Sequence, residues 1–249
     1  MIYSVINQKG GVGKSTTAAA LWAGLNLKGY KALAIDLDAQ GNLTYSAKGQ
    51  GGKTALSLLT GEASAREIIQ STGTGDIITS SKALAGADTF ITGKGKENRL
   101  KDAIHDIIAL YDYIIIDTPP ALGILTVNAL TACNSVIIPA QPDIFSLQGI
   151  DQLIETMQPV KEYCNKELSI AGILLTRCNA RQVLARDITA YLKQIAAQLD
   201  TKLFETTIRE GVAIKEAQAQ QKSIFDYAAR AKVTADYNAF IAELLGKGG

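Results

Sequence analysis

Gln8-Lys9-Gly10-Gly11-Val12-Gly13-Lys14-Ser15-Thr16 decides the fold of this 249-residue chain. An apolar run, Ile2-Tyr3-Ser4-Val5-Ile6, precedes it and reads as a strand, while Thr17-Ala18-Ala19-Ala20-Leu21-Trp22-Ala23-Gly24-Leu25 follows and reads as a helix. Strand, glycine turn and helix start are the setting that a phosphate-binding loop requires. Glycines let the backbone turn tightly enough for its N–H groups to converge on phosphate oxygens, with the positive end of the helix dipole beneath them. Lys14 is then placed for the β- and γ-phosphates, and Ser15 offers its hydroxyl to Mg²⁺. The loop is a variant: the usual spacing puts glycine at position 8, where this chain has Gln8, and a second lysine, Lys9, follows.

With that second lysine, Lys9-Gly10-Gly11-Val12-Gly13-Lys14-Ser15-Thr16 resembles the deviant Walker A box of the ParA/MinD family of partition and positioning ATPases. The resemblance implies ATP contacted by Gly10, Gly11, Val12, Gly13, Lys14, Ser15 and Thr16. It also implies a homodimer in which Lys9 crosses to the nucleotide held by the other subunit. A γ-phosphate facing a protein interface gathers charge during transfer, and a cation supplied in trans stabilises it.

Two acid-ended strands stand where such an enzyme needs them. Lys31-Ala32-Leu33-Ala34-Ile35-Asp36 reads as a buried strand, continued by the loop Leu37-Asp38-Ala39-Gln40-Gly41-Asn42 at the strand end where open α/β sheets bind ligands. The segment resembles the family's Asp-x-Asp-x-Gln-Gly-Asn stretch, which implies that Asp38 orients the attacking water and Asp36 supports the Mg²⁺ shell. Lys9, Lys14 and Asp38 are thereby the expected catalytic residues. Ala39 stands where the family usually has proline, which implies a looser turn. Tyr113-Ile114-Ile115-Ile116-Asp117-Thr118-Pro119-Pro120 matches a Walker B strand, and its single carboxylate, Asp117, is expected to hold Mg²⁺ through water because that ion keeps much of its hydration. By the same resemblance the loop carrying Pro119, Pro120, Gly123 and Thr126 senses the γ-phosphate and signals to the dimer surface. Thr176-Arg177-Cys178-Asn179 and Thr206-Thr207-Ile208-Arg209 are implied near the adenine, with Arg177, Thr207 and Ile208 as contacts. Gln141, Pro142 and Asp143 are left to the ribose or the interface.

Strand-like and helix-like segments alternate nearly throughout, which predicts one doubly wound α/β domain over residues 1–249, its mostly parallel sheet covered by helices on both faces. Short helices are expected at Thr54–Leu59 and Ala65–Ile69, strands at Asp76–Ser80, Ser135–Pro139 and Ile170–Leu175, and helices near 98–110, 146–163, 183–199, 212–220 and 233–245. His105 is the only histidine and shows no partner pattern, so no base is assigned to it. Trp22 reads as packing. Cys133, Cys164 and Cys178 are too widely spaced for a zinc pair and odd in number, which argues against a disulfide framework. They read as ordinary thiols, with no cysteine placed to bridge a metal cluster.

Hydrophobic residues make up 47% of the chain, mean hydropathy is +0.10, and the formal net charge is +1. That composition suits a large buried core, and no apolar run approaches a membrane span, so a cytoplasmic protein is expected. Charge this balanced excludes a broad electrostatic footprint for nucleic acid. Between Thr176 and Lys232, however, ten Lys/Arg face six Asp/Glu. Partition ATPases of the family, once dimerised by ATP, bind DNA non-specifically through basic residues near their C-terminal helices and are stimulated by a ParB-like adaptor. On that resemblance Lys215, Lys222, Arg230 and Lys232 are the DNA candidates, and the ATP-bound protein is expected on the nucleoid. Family members often carry arginine near Ala213. The competing class is a MinD-like positioning ATPase acting at a membrane or on a protein cargo rather than on DNA. Against the membrane, Phe240, Ile241, Leu244 and Leu245 have core spacing, and Lys247 alone is no polybasic face.

Overall fold

Val5, Asp36 and Asp117 end three neighbouring parallel strands in matched register, Val5 opposite Asp117 and Asp117 opposite Asp36. This pairing gathers three distant stretches of sequence at one sheet edge. A computed structural model describes residues 1–178 and 183–246. Asn179 and Lys247, named above, and Arg181, one of the ten basic residues counted there, lie outside the described residues.

Strand β1 (Ile2–Val5) leads through the glycine loop into helix α1 (Lys14–Leu27), and β2 (Ala32–Asp36) into α2 (Asn42–Ser46), α3 (Ala55–Thr60) and α4 (Ala65–Ile68). A hairpin of β3 (Ile69–Ser71) and β4 (Asp76–Ile78) precedes α5 (Ala87–Phe90), α6 (Arg99–Ile104) and β5 (Tyr113–Asp117). Helix α7 (Ile124–Ala132), β6 (Ser135–Ala140), α8 (Ile144–Tyr163), β7 (Ser169–Leu175) and α9 (Val183–Gln198) continue the alternation. Helices α10 (Val212–Ala219), α11 (Ile224–Tyr227) and α12 (Lys232–Leu244) follow. The sheet order is β3-β4-β2-β5-β1-β6-β7, parallel except for β3 against β4. Outside β7, the backbone at Lys202–Phe204 bonds to Ile173, so this edge is covered as well.

Alternating side chains of each strand feed two cores, as the period of two demands. Leu33, Ile35, Ile114, Ile116, Val136 and Ile138 pack with α3, α7 and α8 on one face. Tyr3, Val5, Ala34, Ile115 and Ile137 pack with α1 and α12 on the other. Phe240 and Ile241 are fully buried there, and Leu244 and Leu245 pack partly against the same cluster. The apolar face of the last helix is therefore taken up by the core. Among the described residues no helix is long and apolar enough to cross a membrane. Trp22 is buried and donates its indole N–H to the Ala32 carbonyl.

Three departures from the expected elements have tertiary causes. The helix at Ala65 is a single capped turn, closed by the Ser64–Glu67 capping box, and Ile69 already pairs with Ile78 across a Thr72–Gly75 turn. The helix near 98–110 tightens to a 3₁₀ form after Ile104, which leaves Ile104 and Ile107, three apart, on one buried face. Helix α7 starts at Ile124 inside the expected loop, because the Asp88 carboxylate accepts the Ile124 N–H at 3.1 Å.

Gly24 in mid-α1 lets α11 and α12 close on that helix: a Cβ there would strike Ile241 Cδ1 and lie 3.1 Å from the Phe225 ring. Gly24→Val is expected to cost about 1–3 kcal/mol by overpacking. In urea denaturation the double variant Gly24→Val/Ile241→Ala should show a favourable coupling of about 1 kcal/mol relative to the sum of the singles. Strict additivity would show that this contact is not the constraint.

Candidate active site

The loop between β1 and α1 turns through Gly11 (φ +77°) and Gly13 (φ +87°), conformations that glycine adopts without strain. Neighbouring strand ends hold it. Thr176, just past β7, donates its hydroxyl to the Val12 carbonyl at 2.7 Å, and Gln141, just past β6, donates its amide to the Gly11 carbonyl at 3.0 Å. Asn7 accepts the Lys9 N–H at 2.9 Å while donating to the Pro139 carbonyl at 2.7 Å. Gly149 of α8 makes room for this arrangement, since a Cβ there would lie 2.8 Å from Asn7 Oδ1. The loop is thus fixed before any ligand arrives, which lowers the ordering cost of binding.

Lys14 is buried, and its ammonium donates to the Lys9 carbonyl at 3.1 Å. Burial pushes its pKa down, while Asp117 and Asp38 oppose that shift. Such an ammonium gains strongly from an anion placed beside it. Ser15, next on α1, faces the same cleft as Asp38, Gln40, Asn42 and Pro120.

The three acids sit in different environments. Asp117 is fully buried, and no hydrogen bond of ordinary geometry reaches either carboxylate oxygen among the described residues. Burial, then the neighbouring Asp36, raise its pKa well above the carboxylate range; the Ser15 hydroxyl and Lys14 act in the opposite sense. Asp36 is also buried, with its pKa pushed up to about 6 by desolvation against the bonds it accepts from the Thr44 N–H and hydroxyl, both at 2.8 Å, and the Asp38 N–H at 3.1 Å. Asp38 accepts the Gln40 N–H at 3.0 Å and lines the cleft floor. Two acids at adjacent strand ends, one without donors, beside a serine hydroxyl are what a divalent cation would complete.

Lys9 pairs with Asp143 of its own chain and lies 5.8 Å from the Phe145 ring. Asp143 in turn caps α8 by accepting the Ser146 N–H at 3.0 Å. Burial raises the Asp143 pKa, but the bonds from Lys9 and Ser146 outweigh it and hold the carboxyl below its usual range. Ile144 and Phe145 beside this pair are exposed.

A second pocket adjoins the cleft through Gly11, Gly13, Thr16 and Gln218. Arg177, Ile208 and Arg209 line it, as do Glu210, Lys215 and Tyr237, which the sequence did not assign to it. Arg177, at φ +52°, bonds to Glu210 at 2.8 Å across the rim. Arg209 is committed to both oxygens of Asp236, at 2.6 and 2.7 Å. Thr207 lies outside this lining, exposed, next to Cys178. Lys215, Lys222, Arg230 and Lys232 are all exposed, although Lys215 borders the second pocket and Lys222 a cavity beside Trp22. His105 is exposed in its 3₁₀ turn, and the three cysteines are free.

Fold and loop together define a phosphate-loop nucleotide-binding protein of the deviant, two-lysine type. The AAA_31 family, an AAA domain, matches residues 1–170. The sporulation initiation inhibitor protein Soj of Bacillus subtilis (strain 168) is 36% identical over 253 residues, with 99% of each chain covered. The chromosome-partitioning ATPase Soj of Treponema pallidum (strain Nichols) is 36% identical over 98% of this chain and 96% of its own. Among solved structures, cobyrinic acid a,c-diamide synthase from Mycobacterium smegmatis with bound ATP analog and magnesium is similar, with TM-score 0.84, 29% identity, and 98% and 93% of the two chains covered. The chain belongs to the ParA/Soj family of partition ATPases.

The cap and the ion pair at Asp143 are separable. Asp143→Asn keeps a capping oxygen and removes the charge, whereas Asp143→Ala removes both. The alanine variant should be less stable by about 1 kcal/mol, read as a fall in Tm of about 2–4 °C, and the asparagine variant by a smaller amount, since a half-exposed ion pair contributes little.

Proposed function

We propose that this chain is a Mg²⁺-dependent ATPase of the partition type, a single domain over residues 1–249 that forms an ATP-bound homodimer. In that form it binds DNA non-specifically, and a ParB-like adaptor stimulates hydrolysis. The observation that carries the reaction is the Asp117 carboxylate, buried beside Ser15 and Lys14 with no hydrogen bond of ordinary geometry among the described residues. Its relatives' names, and the ATP analog and magnesium in the solved neighbour, support the same reading.

Ser15 and Asp117 would hold Mg²⁺, with Asp36 supporting its shell. Among the described residues no group of three His, Cys, Asp or Glu forms a metal cage. That suits Mg²⁺, which uses one or two carboxylates together with phosphate oxygens and water. When bound, the ion offsets charge on the β- and γ-phosphates. The glycine-loop N–H groups and Lys14 cradle the phosphates, and Asp38, fixed by the Gln40 N–H, orients a water for in-line attack. Lys9 leaves Asp143 to reach the partner's γ-phosphate, where a cation lowers the barrier. Arg177 and Ile208 border the base, and Thr207 is kept as a further contact from the segment that carries Ile208.

Lys215, Lys222, Arg230 and Lys232 are the proposed DNA contacts. Two copies in a dimer double a small patch, which gives appreciable binding from a chain of net charge +1. The protein is then cytoplasmic and nucleoid-associated when ATP-bound. MinD-like membrane docking is disfavoured because Phe240 and Ile241 of α12 are already buried.

Asp38→Ala should bind ATP and dimerise while hydrolysis falls by at least about a hundredfold, the range expected when a positioning group for the nucleophile is lost. Retained turnover removes Asp38 from this role. The cargo class is tested by retention on random duplex DNA and on anionic liposomes, each with ADP and with a non-hydrolysable ATP analogue. Salt-sensitive DNA retention only with the analogue is expected, weakened in Lys215→Ala/Lys222→Ala, whereas lipid retention would replace partition with membrane positioning.

A further inference from the structure

The phosphate cleft and the second pocket share four residues, Gly11, Gly13, Thr16 and Gln218. On the reading that phosphates occupy the first and the base the second, the sugar and α-phosphate must lie over these four. Only Thr16 and Gln218 among them carry polar side chains. Gln218, on α10, donates its amide N–H to the Thr16 hydroxyl at 3.2 Å. That bond orients the amide and leaves its oxygen without a hydrogen-bond partner among the described residues.

The two components that could lie there demand opposite chemistry. An α-phosphate is an anion and seeks donors, which the helix N-terminus already supplies. An amide oxygen repels it. A sugar hydroxyl is a donor and needs an acceptor, which an oriented amide oxygen provides. We propose that Gln218 reads the sugar of the bound nucleotide, accepting a ribose hydroxyl on Oε1 while its Nε2 stays on Thr16. This rests on the nucleotide-site reading above and extends it: the site selects a ribonucleotide, and the residue that selects it belongs to α10 rather than to the glycine loop.

Equilibrium binding of ATP, 2′-deoxy-ATP and 3′-deoxy-ATP to the full chain tests the assignment. The wild type should bind at least one deoxy analogue about three- to tenfold more weakly than ATP, the range for one hydrogen bond. Gln218→Met, similar in size but without an amide acceptor, should bring that ratio close to one. Gln218→Glu, which still accepts, should keep it. Equal affinity of the wild type for all three nucleotides overturns the proposal, as does a ratio that survives in Gln218→Met. A merely structural role for Gln218 would weaken all three ligands together and leave the ratio unchanged. Lys14→Ala separates the two levels: if it fails to abolish ATP binding, the phosphate-site reading falls, whereas an unchanged sugar ratio in Gln218→Met removes the role of Gln218 alone.

Discussion

The arrangement of charge depends on a carboxylate that water cannot reach. Asp117 sits at the end of β5 with no hydrogen bond of ordinary geometry to either oxygen among the described residues, a placement that costs several kcal/mol unless a cation answers it. Lys14, lowered by the same burial, is the complementary problem on the facing helix. Neither group is relieved fully by the other. A polyanion accompanied by a divalent ion would answer both at once. The two groups are held apart by backbone that is itself bonded to residues at the ends of two further strands.

Lys9 belongs to a different economy of charge. It stands in the same loop as Lys14, yet its ammonium is directed sideways to Asp143, at the head of α8, rather than into the cleft. The two lysines are therefore addressed to different places by one short segment. Asn7 arranges this, taking the Lys9 N–H and tying it to the end of β6. The packing of Gly149 against Asn7 makes α8 part of the loop's support, which places the Lys9 environment and the start of α8 under one mechanical constraint.

What could be read in the residues alone was chemistry bound to a strand end. The glycine loop, Asp36, Asp38 and Asp117 carry local signatures, an apolar run closed by an acid or a glycine turn, and register brings them together without further information. Elements set by distant partners were not legible. The start of α7 depends on Asp88, far back in the chain, and β3 depends on pairing with β4 that no alternation over three residues can announce. Gln218 had no local mark, because it lies in an ordinary helical stretch and reaches Thr16 only through the packing of α10 on α1. Likewise Arg209 looked available to a base, but Asp236 on α12 engages it on two sides.

The two borders of the sheet are finished differently. One is finished by the three-residue β3, running against its neighbour, and the other is overlaid by the backbone at Lys202–Phe204. Neither offers the long, open row of N–H and C=O groups through which copies of a chain add to one another indefinitely. Self-association by strand addition is thereby disfavoured at both borders, because the row of backbone groups it would need is short on one side and covered on the other.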